Sequence, residues 1–220
     1  MQQLYEARDL FIEGTAVTVQ FTLLSMVFMV IIAFIGGFGR IAPWGVVRAA
    51  SACYIEFFRG TSLFVQLFWL FFALPMLGVK LPAAVTAVLG MSLCFGAYGA
   101  EVVRAAIVAV PKEQTEAAIA LNMTPYERMR MVILPQAVRA MLPPFGNLLI
   151  ELTKATALIS LIAIHDLTFQ ARMFNLRTVQ TIVGFGTALT IYFVFSQILM
   201  YGVRRLERRF ARGVLQPIRL

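Results

Sequence analysis

Three carboxylates in this chain stand three residues ahead of a base: Glu56 with Arg59, Glu101 with Arg104, and Glu151 with Lys154. On a helix each pair shares a face. All three lie in or beside long apolar runs, where ionisable groups are costly and turn toward a bundle interior or a wet cavity. The first two pairs sit near the ends of their helices, where snorkelling and subunit packing account for them. Glu151 and Lys154 sit deeper, beside Asn147, Thr153, Thr156 and Ser160. A zwitterionic solute needs both a carboxylate and an ammonium partner, so this face is expected to line a solute path. The competing reading is an internal ion pair that holds this helix against its neighbours. Gln66 and Tyr98 are further candidates for polar contacts with a solute, although lone polar residues in membrane helices more often serve as packing glue.

Other chemistry finds no support in the residues. No G-x-x-x-x-G-K-[ST] phosphate loop is present, so the chain is not expected to hydrolyse ATP. No nucleophile–base arrangement is visible. His165 is the only histidine, and no Cys, His or carboxylate group has metal-ligand spacing. Cys53 and Cys94 both lie in or beside apolar runs, where a free thiol behaves as a small hydrophobe. No enzyme activity, cofactor or metal is expected.

The elements that position these residues are expected to be membrane helices. The 220 residues are 60% hydrophobic and 14% charged, against about 25% charged in an ordinary soluble domain. Lipid is therefore the expected solvent. The runs lack barrel-like alternation, so the fold class is all-α, with about five spans of bilayer length. They are predicted near residues 15–38, 51–76, 81–108, 142–164 and 178–203. Gly90, Gly96, Ala97, Gly99 and Ala100 on the third span are expected to let helices pack closely; the alternative is that they leave room for a path. One domain is expected over residues 1–220. Residues 1–14 mix Glu6, Asp9 and Glu13 with Arg8 alone, which does not suit a cleavable signal peptide.

The net charge of +8 reads as topology rather than nucleic-acid binding, because the basic residues cluster beside apolar runs. One side collects Arg40, Arg48, Arg104, Lys112, Arg128, Arg130 and Arg139, together with Arg204, Arg205, Arg208, Arg209, Arg212 and Arg219. The other holds Arg8, Lys80, Arg172 and Arg177. The first side is expected to be cytoplasmic, with the N-terminus outside and the C-terminus inside.

A polar insert at about residues 111–139 separates the third and fourth spans. Pro111 suits a helix start, and Lys112 to Leu121 are rich in helix formers. Asn122 suits a left-handed cap. Thr124, Pro125 and Glu127 form a capping box for a second helix, expected to run to about Leu134 with Pro135 at its end or at a kink. From these residues alone, an amphipathic connector on the lipid surface is an equally open reading.

Glu116-Ala117-Ala118, the turn near Asn122 and Ile133-Leu134-Pro135 resemble the "EAA" loop of permease subunits of bacterial ATP-binding-cassette (ABC) importers. The similarity extends to Glu56-Phe57-Phe58-Arg59-Gly60-Thr61, Gly96-Ala97-Tyr98-Gly99-Ala100-Glu101 and Leu142-Pro143-Pro144-Phe145-Gly146-Asn147, which resemble the polar amino-acid branch. Together they cover roughly residues 15–205. The resemblance implies a type I ABC importer permease fold in the bacterial inner membrane. Glu116, Ala117, Ala118, Asn122, Leu134 and Pro135 would then couple to ATP-binding ABC subunits. A second permease chain, the same or different, and an extracytoplasmic solute-binding protein complete the implied assembly. Two departures stand out: Asn122 replaces the family's usual Gly, and Ala155-Thr156-Ala157 stands where Asp-Thr-Ser is common. The second leaves room for an amino-acid-like compatible solute such as ectoine as cargo. An ion-driven secondary transporter and a membrane scaffold are the remaining alternatives, and the absence of a visible inverted repeat weighs against the former.

Overall fold

The computed structural model describes residues 7–211; Glu6, Arg212 and Arg219 lie outside the described residues. Every described element of regular structure is helical. In order come α1 (Arg8–Ile41), α2 (Gly45–Gly60), α3 (Leu63–Phe68), α4 (Ala83–Val108), α5 (Lys112–Ala120), α6 (Pro125–Glu127), α7 (Leu134–Ala155), α8 (Leu167–Thr178) and α9 (Thr181–Ala211). Four continuous stretches are long and apolar enough to cross a membrane: Arg8–Ile41, Ala83–Val108, Pro125–Ile162 and Thr181–Arg209. The bent pair Gly45–Gly60 and Leu63–Leu77 makes a fifth if it counts as one span.

The centre of the fold is α4, packed against α1, α2 and α7. Small residues allow the approach. A Cβ added at Gly96 would lie 2.7 Å from the Ile32 side chain, and one at Gly99 would lie 2.7 Å from the Ala33 Cβ. The small residues of the third predicted span therefore serve helix packing within the chain. Met29, Met91, Leu152, Ile159 and Ile162 fill the adjoining core. The outer faces of α1 and α9 instead expose apolar side chains such as Val27, Ile31, Ile182 and Leu189, as lipid-facing helices do.

The second predicted span is not one helix. The chain turns by 102° between Gly60 and Leu63, with Thr61 and Ser62 extended. Breaking a helix strands backbone carbonyls, and Gln66 takes them up. Its Nε2 lies 3.1 Å from the Phe58 carbonyl, 3.3 Å from the Thr61 carbonyl and 2.7 Å from Thr61 Oγ1. Apolar composition carries no sign of such a bend, because hydropathy reports where a segment is buried and not the direction its backbone takes. Gln66→Leu removes the clasp and is expected to destabilise the corner by about 2 kcal/mol. A fall of about 5 °C in the detergent melting temperature of the purified chain would register it.

The fourth predicted span also begins earlier than expected. The second insert helix does not stop at Leu134 but runs from Pro125 straight into α7, giving one 38-residue stretch to Ile162. Pro135 lacks an N–H and should break the ladder. Residues Arg128–Ile133 adopt a π register, in which the Leu134 N–H reaches back to the Met129 carbonyl, and the wider turn absorbs the proline.

A helix that the sequence reading did not foresee, α8, follows the 3₁₀ turns at Thr156–Ile162. Left-handed residues flank it, Ala163 at φ 63° and Val179 at φ 56°. The fifth span accordingly starts at Thr181 rather than Thr178.

Candidate functional site

The insert has the local geometry its residues dictate. At the end of α5 the Asn122 N–H donates to the Ile119 carbonyl at 2.9 Å, and the Met123 N–H to the Ala118 carbonyl at 3.1 Å. These are the two bonds of a Schellman cap. Asn122 itself is left-handed at φ 55°. Glu127 Oε2 accepts from the Thr124 N–H at 2.9 Å, and the Glu127 N–H donates to Thr124 Oγ1 at 3.3 Å, completing the capping box. The result is a helix–turn–helix whose second arm packs on the bundle through Met129 and Ile133. Ala118 is buried against the second arm, while Glu116 and Ala117 are exposed. Leu134 is half-buried and Pro135 exposed. Ile119, Leu121 and Tyr126 project outward, 54%, 73% and 69% exposed. Such an apolar tip on a charged loop has the character of a docking surface.

The left-handed turn makes a testable demand. A β-branched side chain pays about 1–2 kcal/mol there, whereas Gly pays none. Asn122→Gly is expected to leave the insert as resistant to limited proteolysis as the wild type, and Asn122→Val to make it about tenfold easier to cut.

The candidate solute-path residues fall in three places. Asn147, Glu151 and Lys154 share the exposed face of α7 and form a polar stripe on a membrane-crossing helix. Glu151 and Lys154 form no ion pair with each other, so the reading of an internal pair is corrected: both point away from the core. Thr153 and Thr156 lie on the opposite, buried face. Their hydroxyls donate to the carbonyls of Leu149 at 2.8 Å and Thr153 at 2.7 Å. Gln66 and Tyr98 both hold the end of α2. The Tyr98 hydroxyl lies 3.5 Å from the Arg59 carbonyl, and its ring sits 5.3 Å below the Arg59 guanidinium. Tyr98 is 37% exposed and Gln66 buried.

Of the three i, i+3 pairs, only Glu101 and Arg104 meet, at 2.8 Å, with Arg40 joining from α1 at 3.7 Å. Glu56 does not pair with Arg59, whose guanidinium is turned over Tyr98 instead.

One buried cluster escaped the sequence reading. Asp166, fully buried between spans, caps α8 by accepting from the Phe169 N–H at 2.9 Å and the Thr168 N–H at 3.3 Å. It also accepts from the Tyr192 hydroxyl at 3.2 Å. Thr18 of α1 accepts the Leu167 N–H at 3.2 Å, so three helices meet at this seat. The available signal was Asp166 in a helix-capping position ahead of a mixed polar and apolar segment. Burial pushes its carboxyl up to about 6, against the backbone N–H groups that hold it down. The folded state therefore keeps the proton longer, and the stability of the seat falls as pH rises from about 4 through about 6. Asp166→Asn, neutral throughout, is expected to gain thermal stability relative to the wild type over that window, and melting curves across pH check it.

A family model described as "Binding-protein-dependent transport system inner membrane component" matches residues 29–212. The chain is 44% identical over 205 residues to the probable amino-acid ABC transporter permease protein y4tF of Sinorhizobium fredii, covering 90% of this chain and 86% of that one. It is 37% identical over 202 residues to the L-cystine transport system permease protein TcyB of Bacillus subtilis, covering 91% and 86%. It superposes on the crystal structure of an amino acid ABC transporter with histidines at a TM-score of 0.89 and 33% identity, covering 94% of this chain and 96% of that one.

Proposed function

The chain belongs to the family of inner-membrane components of binding-protein-dependent transport systems, and from that premise we propose that it is the permease subunit of an ATP-driven importer of polar amino acids. The named relatives support this cargo class. The observation that carries the reading is the Asn147–Glu151–Lys154 stripe, polar and exposed on a helix that otherwise crosses lipid. Exposed charges at that depth are too costly to face acyl chains. In the assembly they face a wet path between this chain and a second permease chain, where Glu151 takes the α-ammonium of the solute and Lys154 its carboxylate.

The whole chain acts as one permease domain. Its N-terminus faces outward, and the insert and C-terminal end face the cytoplasm. ATP is hydrolysed by separate ABC subunits, and the exposed tip of the insert seats in them. Closure of the two ATPases then tilts Pro125–Ile162 as one rod, because the insert's second arm and the solute-lining helix are the same continuous stretch. A solute-binding protein delivers cargo at the outer face.

The reading is tested by uptake of a panel of labelled polar amino acids and zwitterionic osmolytes in cells lacking only this gene. Loss of one polar amino-acid class, restored by the wild-type gene, is expected. Loss of an osmolyte alone would contradict the cargo class, and unchanged uptake throughout would contradict the importer.

A further inference from the structure

The last turns of α9 carry Arg204, Arg205, Arg208 and Arg209, all exposed, with Glu207 the only acid among them. None of the four forms an ion pair with a described residue. With Tyr201 they line a concavity of about 440 Å³. Four guanidinium groups around one hollow have no ion-pair partner among the described residues, and their common chemistry is that of a phosphate receptor.

Their position selects the kind of phosphate. Val194, Ile198, Tyr201, Arg205 and Arg208 follow one another at steps of three or four residues and so share one helix face. The first three are 49%, 62% and 65% exposed. An apolar strip thus runs directly into the cationic hollow, with an aromatic ring at the junction, where interfacial Tyr residues anchor. This matches a phospholipid, with acyl chain along the strip and headgroup phosphate in the hollow; a soluble phosphate compound would leave the strip unused. The leaflet also follows from packing. Tyr192 of α9 meets Thr156 just beyond the end of α7, and Val203 packs on Gly146 of α7, so α9 runs antiparallel to α7 and its basic end points back toward the insert.

We infer that Arg204, Arg205, Arg208 and Arg209 form a binding site for an anionic phospholipid of the leaflet that faces the insert, tethering the end of α9 at the membrane surface. The inference rests on the membrane reading and not on the cargo.

The test reconstitutes the transporter with its partner subunits into phosphatidylcholine vesicles and measures association of spin-labelled phosphatidylglycerol against spin-labelled phosphatidylcholine. Electrostatic attraction near a membrane surface corresponds to about a fivefold preference per arginine. The wild type is expected to prefer phosphatidylglycerol at least fivefold at about 0.05 M salt, and to lose most of that preference at about 0.5 M. The variant with all four residues changed Arg→Gln is expected to show none, and the matching Arg→Lys variant to retain it. Both variants must elute with wild-type subunit stoichiometry, which separates loss of the site from loss of assembly. A preference kept by the Gln variant overturns the inference. So does a Gln variant that sheds its ATPase subunit while the wild type shows no lipid preference, since the arginines would then be a protein-docking patch. Because lipid association is read without transport, an unexpected cargo leaves this result unaffected.

Discussion

Glu116→Lys is expected to abolish ATP-driven uptake while leaving the chain folded and in the membrane. Glu116 is exposed on α5, one turn before the apolar tip formed by Ile119 and Leu121. It has no ion-pair partner among the described residues, so its removal leaves nothing unsatisfied within the chain. On the proposed coupling, the cost falls on the contact with the ATPase subunit. Reversing a charge at the centre of a docking surface costs about 2–5 kcal/mol, which corresponds to a loss of coupled transport of about a hundredfold. Membrane abundance and melting temperature should stay at wild-type values, because an exposed substitution on α5 touches no core. Uptake assays beside quantitative immunoblots separate these quantities. Wild-type uptake in the variant would remove the insert from the coupling pathway.

Glu151→Gln is expected to be the most damaging change on the solute path. The side chain is nearly isosteric, and Glu151 makes no hydrogen bond or ion pair with a described residue, so folding should be spared. What is lost is the negative charge proposed to meet an ammonium group. A hydrogen bond to a charged group is worth about 1.5–3 kcal/mol, so apparent affinity for amino-acid cargo should fall by about tenfold to a hundredfold. Basal ATPase activity without cargo should not change, because the substitution removes no hydrogen bond or ion pair with a described residue. Thr153→Val offers the contrast. Thr153 is buried and its hydroxyl donates to the Leu149 carbonyl one turn earlier, so its loss should alter stability more than affinity. Equal effects on affinity from both variants would contradict the division of α7 into an inner packing face and an outer solute face.

What could be read from the residues was local. The Thr124–Glu127 capping box and the left-handed Asn122 depend on a few neighbouring atoms, and the structure forms both. Long charge-free runs likewise dictate membrane helices near their predicted places. Features set by tertiary contacts were not legible. The 102° corner depends on Gln66 reaching back to Phe58 and Thr61, and nothing in an apolar run distinguishes a clasp from a solvating glutamine. Continuity across Pro135 depends on a π register that proline alone argues against. The short helix α8 escaped because it is half polar and its cap, Asp166, is held by Tyr192 from a distant part of the chain. The i, i+3 rule fixes which side chains share a face but not whether they meet. Glu101 finds Arg104 because Arg40 of α1 closes the group from the other side. Glu151 and Lys154 have no such neighbour, and both stay exposed.

The most direct test of the central claim is ATP-dependent accumulation of labelled amino acids in proteoliposomes. They would contain this chain, its ATPase subunits and, on the outer side, the solute-binding protein. Saturable accumulation of a polar amino acid is predicted only when all components and internal ATP are present, with the Glu151→Gln transporter requiring at least about tenfold more solute for half-maximal uptake. Accumulation without ATP, driven by an ion gradient, or none for any polar amino acid despite ATP hydrolysis, would contradict the account.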